Sequence, residues 1–247
     1  MVRIKMRDGD EFNYRDIISD DPDDRYFLQI VREFAPYTMT VSRGFEPAYS
    51  LYKAVQYLVE NNIPGDFVEC GVWRGGSVMV MALALAHFGD TNRKIYLYDT
   101  FEGMTRPEVQ DVVWDGKDYR KEWDDAQKIN GRMGYGGNVE EVRETVFASN
   151  YPHDNFVFVK GPVEDTIPET VPEKIALLRL DTDWYASTYH ELVHLYPLLG
   201  AGGILIIDDY GWCRGARQAT DQYIQEHKLP LYLCRIDEAV RLAVKRV

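Results

Sequence analysis

The chain has 247 residues, 45% of them hydrophobic, enough to bury one sizeable core as a single large α/β domain or a domain with a decoration. Its net charge of −12 argues against broad binding to nucleic acid or to an anionic membrane, both of which need a cationic face, and leaves a small-molecule partner open. Cys70, Cys213 and Cys234 lack metal-type spacing, the N-terminal MVRIKMRDGDEF is too charged for a signal peptide, and the apolar run from Val78 to Phe88 is too short to span a bilayer; a cytoplasmic protein is expected.

Residues 1–25 are polar and acidic and read as an extended or irregular arm. A short helix is expected from Arg25 to Phe34, stopped by Pro36. Ala48, Leu51, Tyr52, Val55, Leu58 and Val59 then recur at helical spacing. Ile63-Pro64-Gly65 turns the chain into a first strand, Asp66 to Cys70. The stretch DFVECGVWRGGS that follows has the order strand, tight glycine turn, helix. Glycines let the backbone turn sharply, and the first turn of the helix, opened by Ser77, offers free N–H groups to a polar ligand. Trp73 stands where the dinucleotide fingerprint needs its second glycine, so the turn suits a nucleoside without a pyrophosphate seat.

A second buried strand, from Ile95 to Tyr98, ends at Asp99, one βα unit past Glu69. A carboxylate there is placed to accept hydrogen bonds from both hydroxyls of a ribose. Residues 105–137 are charged and aromatic and too long for an ordinary connection, which points to a lid or insertion. Asn138 is expected to cap a helix, with Glu141 at the capping-box position. Further strands are expected at 155–161, 175–181 and 204–208, with a helix between the last two that stops at Gly200-Ala201-Gly202-Gly203. A last helix and a closing hairpin follow. The alternation implies a largely parallel sheet covered on both faces, with ligands at the C-terminal ends of its strands.

Asp181 ends the fourth strand, and Asp208 and Asp209 end the fifth. If these strands are neighbours, three carboxylates converge and raise one another's pKa, a conflict a hard divalent cation removes. Oxygen ligands without His or Cys favour magnesium. Asp183 is two residues on, as a fourth ligand, an outer partner or a base. Arg179, a charge inside an apolar strand, is expected to pair with a carboxylate.

VECGVWRGGS, YDTFEGM, LRLDTDWYAST, IIDDYGWCRGARQA and the upstream YTMT together resemble the macrocin O-methyltransferase family over roughly residues 30–247. The resemblance implies an α/β, Rossmann-like class I methyltransferase sheet, mostly parallel with an antiparallel last strand. It implies a domain from residue 63 to 247 with a mobile lid at about 105–137, and an N-terminal segment, 1–62, covering the cofactor site. The implied activity is magnesium-assisted transfer of a methyl group from S-adenosylmethionine to a hydroxyl of a natural-product sugar or phenol. Thr38, Met39 and Thr40 would close over the cofactor. Glu69 and Gly71 would hold its methionine end, with Glu69 on the ammonium side, and Ser77 opens the adjoining helix. Asp99 would take the ribose, Thr100 and Phe101 would line the nucleoside, and Val163 and Glu164 sit where adenine would lie. Asp181 borders the cofactor, ligates the metal with Asp208 and Asp209, and shares with Asp183 the role of candidate base. The aromatic residues Trp114, Tyr119, Trp123 and Tyr135 would exclude water. A homo-oligomer is compatible with the sequence.

Three other readings remain open. His190-Glu191-Leu192-Val193-His194 matches the zinc-hydrolase pattern H-E-x-x-H, a match with a substantial false-positive rate. A nicotinamide oxidoreductase would lack its glycine fingerprint, and a non-catalytic nucleoside-binding module would have no use for the converging aspartates.

Overall fold

The computed structural model describes residues 3–5, 11–13, 21–41, 44–130 and 136–246. Strands β1 (Arg3–Lys5) and β2 (Glu11–Asn13) pair antiparallel as a separate ribbon, within the expected N-terminal arm. Helix α1 (Pro22–Phe34) starts earlier than expected because Asp21 caps it: its carboxylate accepts the Asp23 N–H at 2.9 Å, and Pro22 takes the first helical position. Its buried face, Phe27, Ile30, Val31 and Phe34, shares one core cluster with Leu51, Tyr52, Val55 and Leu58 of α2 (Glu46–Glu60).

The main sheet has seven strands: β3 (Asp66–Cys70), β4 (Ile95–Asp99), β5 (Phe156–Lys160), β6 (Ile175–Leu180), β7 (Leu199–Ile207), β8 (Cys234–Arg235) and β9 (Arg241–Val244). Their order is β5-β4-β3-β6-β7-β9-β8. The first five run parallel, and β9 inserts antiparallel between β7 and β8, as the resemblance implies. Successive side chains point to opposite faces. Phe67, Leu177, Ile204 and Ile206 therefore join the cluster under α1, α2 and α3 (Gly76–His87), whereas Val68, Leu178, Leu205 and Ile207 join a second cluster under α7 (Tyr185–Leu195) and α8 (Arg214–Glu226). Both faces being covered explains the apolar run of β6, which Arg179 alone interrupts. Helix α3 is buried from Gly76 to Leu85, which fits its apolar circumference.

One boundary differs from expectation. Gly200-Ala201-Gly202-Gly203 does not stop the preceding helix but opens β7. Gly202 has φ +79°, and a Cβ on it would lie 2.8 Å from Ile63 Cδ1; glycine allows the strand to enter past that side chain. Among the described residues, no helix is long and apolar enough to cross a membrane.

The insertion contains α4 (Tyr119–Asn130), and the segment before it is docked. Asp111 is fully buried, and its carboxylate accepts the N–H groups of Glu108 at 2.7 Å and Tyr185 at 2.8 Å. The insertion thus caps α7, whose own N-cap residue, Trp184, provides no side-chain bond. Trp114 N–H donates to the Trp212 carbonyl, and Arg214 N–H to that of Val112, both at 2.9 Å. After the insertion, α6 (Val163–Thr166) follows α5 (Val139–Phe147), which carries the expected capping box of Asn138 and Glu141. Asp111→Ala is expected to lower stability by about 1–2 kcal/mol, the scale of a lost cap with N–H groups left unpaired. It should also speed proteolysis between residues 105 and 118. Denaturant midpoints and timed digestion check this, and an unchanged midpoint would refute the cap.

Candidate active site

The glycine turn after β3 is shaped from two sides. Gly71 has φ +81°, and a Cβ there would lie 2.0 Å from the Asp181 carbonyl oxygen, so the ends of β3 and β6 touch backbone to backbone. Trp73 is left-handed at φ +51°. Asp99, from the end of β4, holds that conformation: its Oδ2 accepts the N–H groups of Val72 at 2.7 Å and Trp73 at 3.0 Å, and its Oδ1 accepts that of Phe101 at 2.7 Å. The Thr100 hydroxyl lies 3.4 Å from Oδ1, but it has one proton, and the Gly103 carbonyl accepts it at 2.5 Å. Oδ1 therefore keeps room for one further donor, where the sequence suggested two ribose hydroxyls. Burial raises the Asp99 pKa against the pull of these N–H groups.

Register places Glu69 of β3 directly beside Arg179 of β6. The guanidinium is 2% exposed and meets four partners. Nη1 donates to Glu69 Oε1 and, at 2.7 Å, to Asp181 Oδ2; Nη2 donates to Asp208 Oδ1 at 2.5 Å and to Thr40 Oγ1 at 3.0 Å. Arg179 pairs with carboxylates as expected, and the three aspartates are not uncompensated: one cation is already among them. Glu69 Oε2 is buried without a partner. Burial pushes Glu69 up to about 7 despite Arg179.

Asp181, Asp208 and Asp209 bring carboxylate oxygens within 4.8 Å of one another at the adjoining ends of β6 and β7. No donor reaches the buried Asp209 Oδ2. Burial, with neighbouring carboxylates adding to it, holds Asp181 and Asp209 well above the ordinary range. Asp183 is left-handed at φ +65°, its Oδ1 lies 3.6 Å from the Cys213 thiol, and burial followed by the Asp181 charge pushes it up to about 7.

The carboxylates of Glu69, Asp99, Asp181, Asp183, Asp208 and Asp209 line one cavity of about 300 Å³, together with Thr38, Met39, Thr40, Gly71, Ser77, Thr100, Val163 and Glu164. Phe101 corrects the expectation for it. Its ring is buried in the core, 6.3 Å from that of Phe158, and only its backbone serves the site, through Asp99. Of the expected lid aromatics, Tyr119 lines the cavity, Trp123 donates to the Met104 carbonyl at 3.1 Å, Trp114 is 59% exposed, and Tyr135 lies outside the described residues. Trp184 and Trp212 line it instead; Trp212 Nε1 donates to the Tyr119 hydroxyl, and Trp184 Nε1 to the Thr105 carbonyl, each at 3.1 Å. Both follow the aspartates closely in sequence, which was the available signal.

The H-E-x-x-H string does not form a metal site. Glu191 is fully buried and accepts from the Thr182 hydroxyl at 3.0 Å, and His190 Nε2 lies 2.9 Å from the Ile167 carbonyl oxygen. Among the described residues, the cluster suited to a metal ion is the three aspartates.

Residues 29–243 match the family described as macrocin-O-methyltransferase (TylF). Demethyldecarbamoylnovobiocin O-methyltransferase of Streptomyces niveus is 31% identical over 195 residues, 78% of this chain and 71% of that protein. A Streptomyces olivaceus protein, 8-demethyl-8-(2,3-dimethoxy-alpha-L-rhamnosyl)-tetracenomycin-C 4'-O-methyltransferase, is 36% identical over 176 residues, 70% of this chain and 64% of that one. The solved structure of the O-methyltransferase NovP superposes with a TM-score of 0.75 at 25% identity, covering 91% of this chain and all of its own. The class I fold and these matches give one conclusion: the chain belongs to the macrocin O-methyltransferase family and is an S-adenosylmethionine-dependent O-methyltransferase.

Proposed function

We propose that the protein methylates a hydroxyl of a natural-product sugar or similar small molecule, assisted by a magnesium ion. The observation that carries this reading is the convergence of Asp181, Asp208 and Asp209 in the cavity that also holds Glu69 and Asp99. The names of the two relatives, one of them specifying a rhamnosyl-bearing compound, support the acceptor class. The donor side fits: Glu69 Oε2 is a buried acceptor without a partner, suited to the ammonium of the methionine end, and Asp99 keeps one acceptor position for a ribose hydroxyl. The metal side fits as well, because the set is all oxygen and Asp209 Oδ2 has no donor.

When bound to the three aspartates, magnesium supplies Lewis acidity that lowers the acceptor hydroxyl's pKa and fixes its direction. Asp183 takes the proton. Asp181 is committed to Arg179, whereas Asp183 is held by its backbone and Cys213 and ionises near neutrality. The acceptor oxygen forms its bond to the methyl carbon in line as the carbon–sulfur bond breaks, leaving a methyl ether, S-adenosylhomocysteine and protonated Asp183. Charge disappears along this path, so water exclusion by Tyr119, Trp184 and Trp212 favours it. The N-terminal segment, 1–62, acts as cofactor cover and residues 105–137 as the acceptor-facing lid.

Chelation is expected to abolish methyl transfer and magnesium to restore it. Calcium should restore it poorly, since its longer bonds misplace the attacking oxygen. Asp209→Asn should resemble chelation. Full turnover in a preparation that elemental analysis finds metal-free would overturn the metal role.

A base must be ionised to act, so turnover is expected to fall as pH drops through the pKa of Asp183. That acid limb lies at or below about 7, because a bound cation stabilises the carboxylate. Asp183→Asn should lower kcat by roughly 10²–10⁴ and remove the limb while metal affinity persists. A variant that keeps the limb would transfer the role of base away from Asp183.

A further inference from the structure

The N-terminal segment rests on the start of α3 through contacts that involve none of the acids. Arg74 Nη1 donates to the Pro36 carbonyl at 3.2 Å, and its guanidinium lies 5.2 Å from the Tyr37 ring centre. Gly76 admits the segment so closely that a Cβ there would sit 2.6 Å from the Tyr37 oxygen. The Thr38 hydroxyl accepts the Thr40 N–H at 3.1 Å, which turns the chain and aims the Thr40 side chain. Its hydroxyl then accepts from Arg179 Nη2 at 3.0 Å. Among the described hydrogen bonds, this one joins the segment to the acidic centre. The guanidinium is planar, and its remaining partners, Glu69, Asp181 and Asp208, lie on the strand ends of the sheet. Its orientation is therefore set by the sheet, and the segment takes its position from it.

We infer that Arg179 is a positioning residue and that its hydrogen bond to Thr40 is the latch holding the N-terminal segment closed over the cofactor. The inference rests on the reading of the cavity as the S-adenosylmethionine site. The latch belongs to the free protein, before the cofactor arrives, because both partners are protein groups. Thr40 then contributes to cofactor affinity through Arg179, keeping Thr38 and Met39 at the cavity wall. A hydroxyl that touched only the cofactor would leave the free protein indifferent to its loss.

The test uses the whole protein in chelator-containing buffer, so magnesium plays no part. Hydrogen–deuterium exchange of the amides of residues 37–41 without cofactor is expected to quicken in Thr40→Val and to stay as in the parent in Thr40→Ser. Calorimetric affinity for S-adenosylmethionine should fall about tenfold in Thr40→Val and stay within about twofold in Thr40→Ser. In an Arg179→Lys background, Thr40→Val should add less than about twofold. Thr40→Ala supplies a second hydroxyl-free variant if valine disturbs folding, with unfolding midpoints as the check. Unchanged exchange together with weakened binding would overturn the latch in favour of direct contact with the cofactor. Unchanged affinity in both hydroxyl-free variants would overturn it as well. Failure of the parent protein to bind S-adenosylmethionine would sink the cofactor assignment instead, a result distinct from either.

Discussion

One buried guanidinium lets this site exist. Glu69, Asp181 and Asp208 crowd a cavity whose walls are strand ends and aromatic rings, and Arg179, 2% exposed, is the charge that meets all of them. The pairing follows from parallel register: Glu69 and Arg179 are directly opposite on neighbouring central strands, and Asp181 and Asp208 end the strands two steps away. Taking an arginine into a sheet core costs several kcal/mol unless its donors are satisfied, and stripping away one partner leaves a buried charge alone. The acids and the arginine are therefore a single unit, and the apolar run of β6 tolerates a charge because its neighbours on both sides answer it.

Much of this was legible from the residues. Strand ends fall where apolar runs meet acids, and the two-residue period assigns Phe67 and Val68 to opposite faces. Arg179 within LLRLD announced a carboxylate partner because nothing else stabilises a charge there. What escaped was set by the third dimension. Asp99 reads as a ribose ligand, yet most of its capacity goes to backbone N–H groups, two of them from a turn that precedes it by a whole helix. Phe101 follows Asp99 as a ligand residue would, but its left-handed backbone swings the ring into the core. The glycines at 200–203 carry the composition of a helix stop, and only the close pass by Ile63 explains their place in a strand. The H-E-x-x-H string misleads for a related reason. Pattern matching ignores which face of a helix is buried, and Glu191 is on the buried one.

The cap that Asp111 places on α7 has a consequence for how enzymes of this kind diversify. An insertion that lines the cavity without joining the sheet is the natural cassette for changing what the cavity admits. Here the cassette is not detachable. Asp111, within its docked part, also caps the helix that follows Asp183, and Gly215 leaves space for that carboxylate and for nothing larger, a Cβ there falling 2.0 Å from Asp111 Oδ1. An insertion transplanted from a relative would need its own acid at this position and a glycine opposite. Exchange of the insertion by recombination is thereby confined to crossovers that carry both residues together.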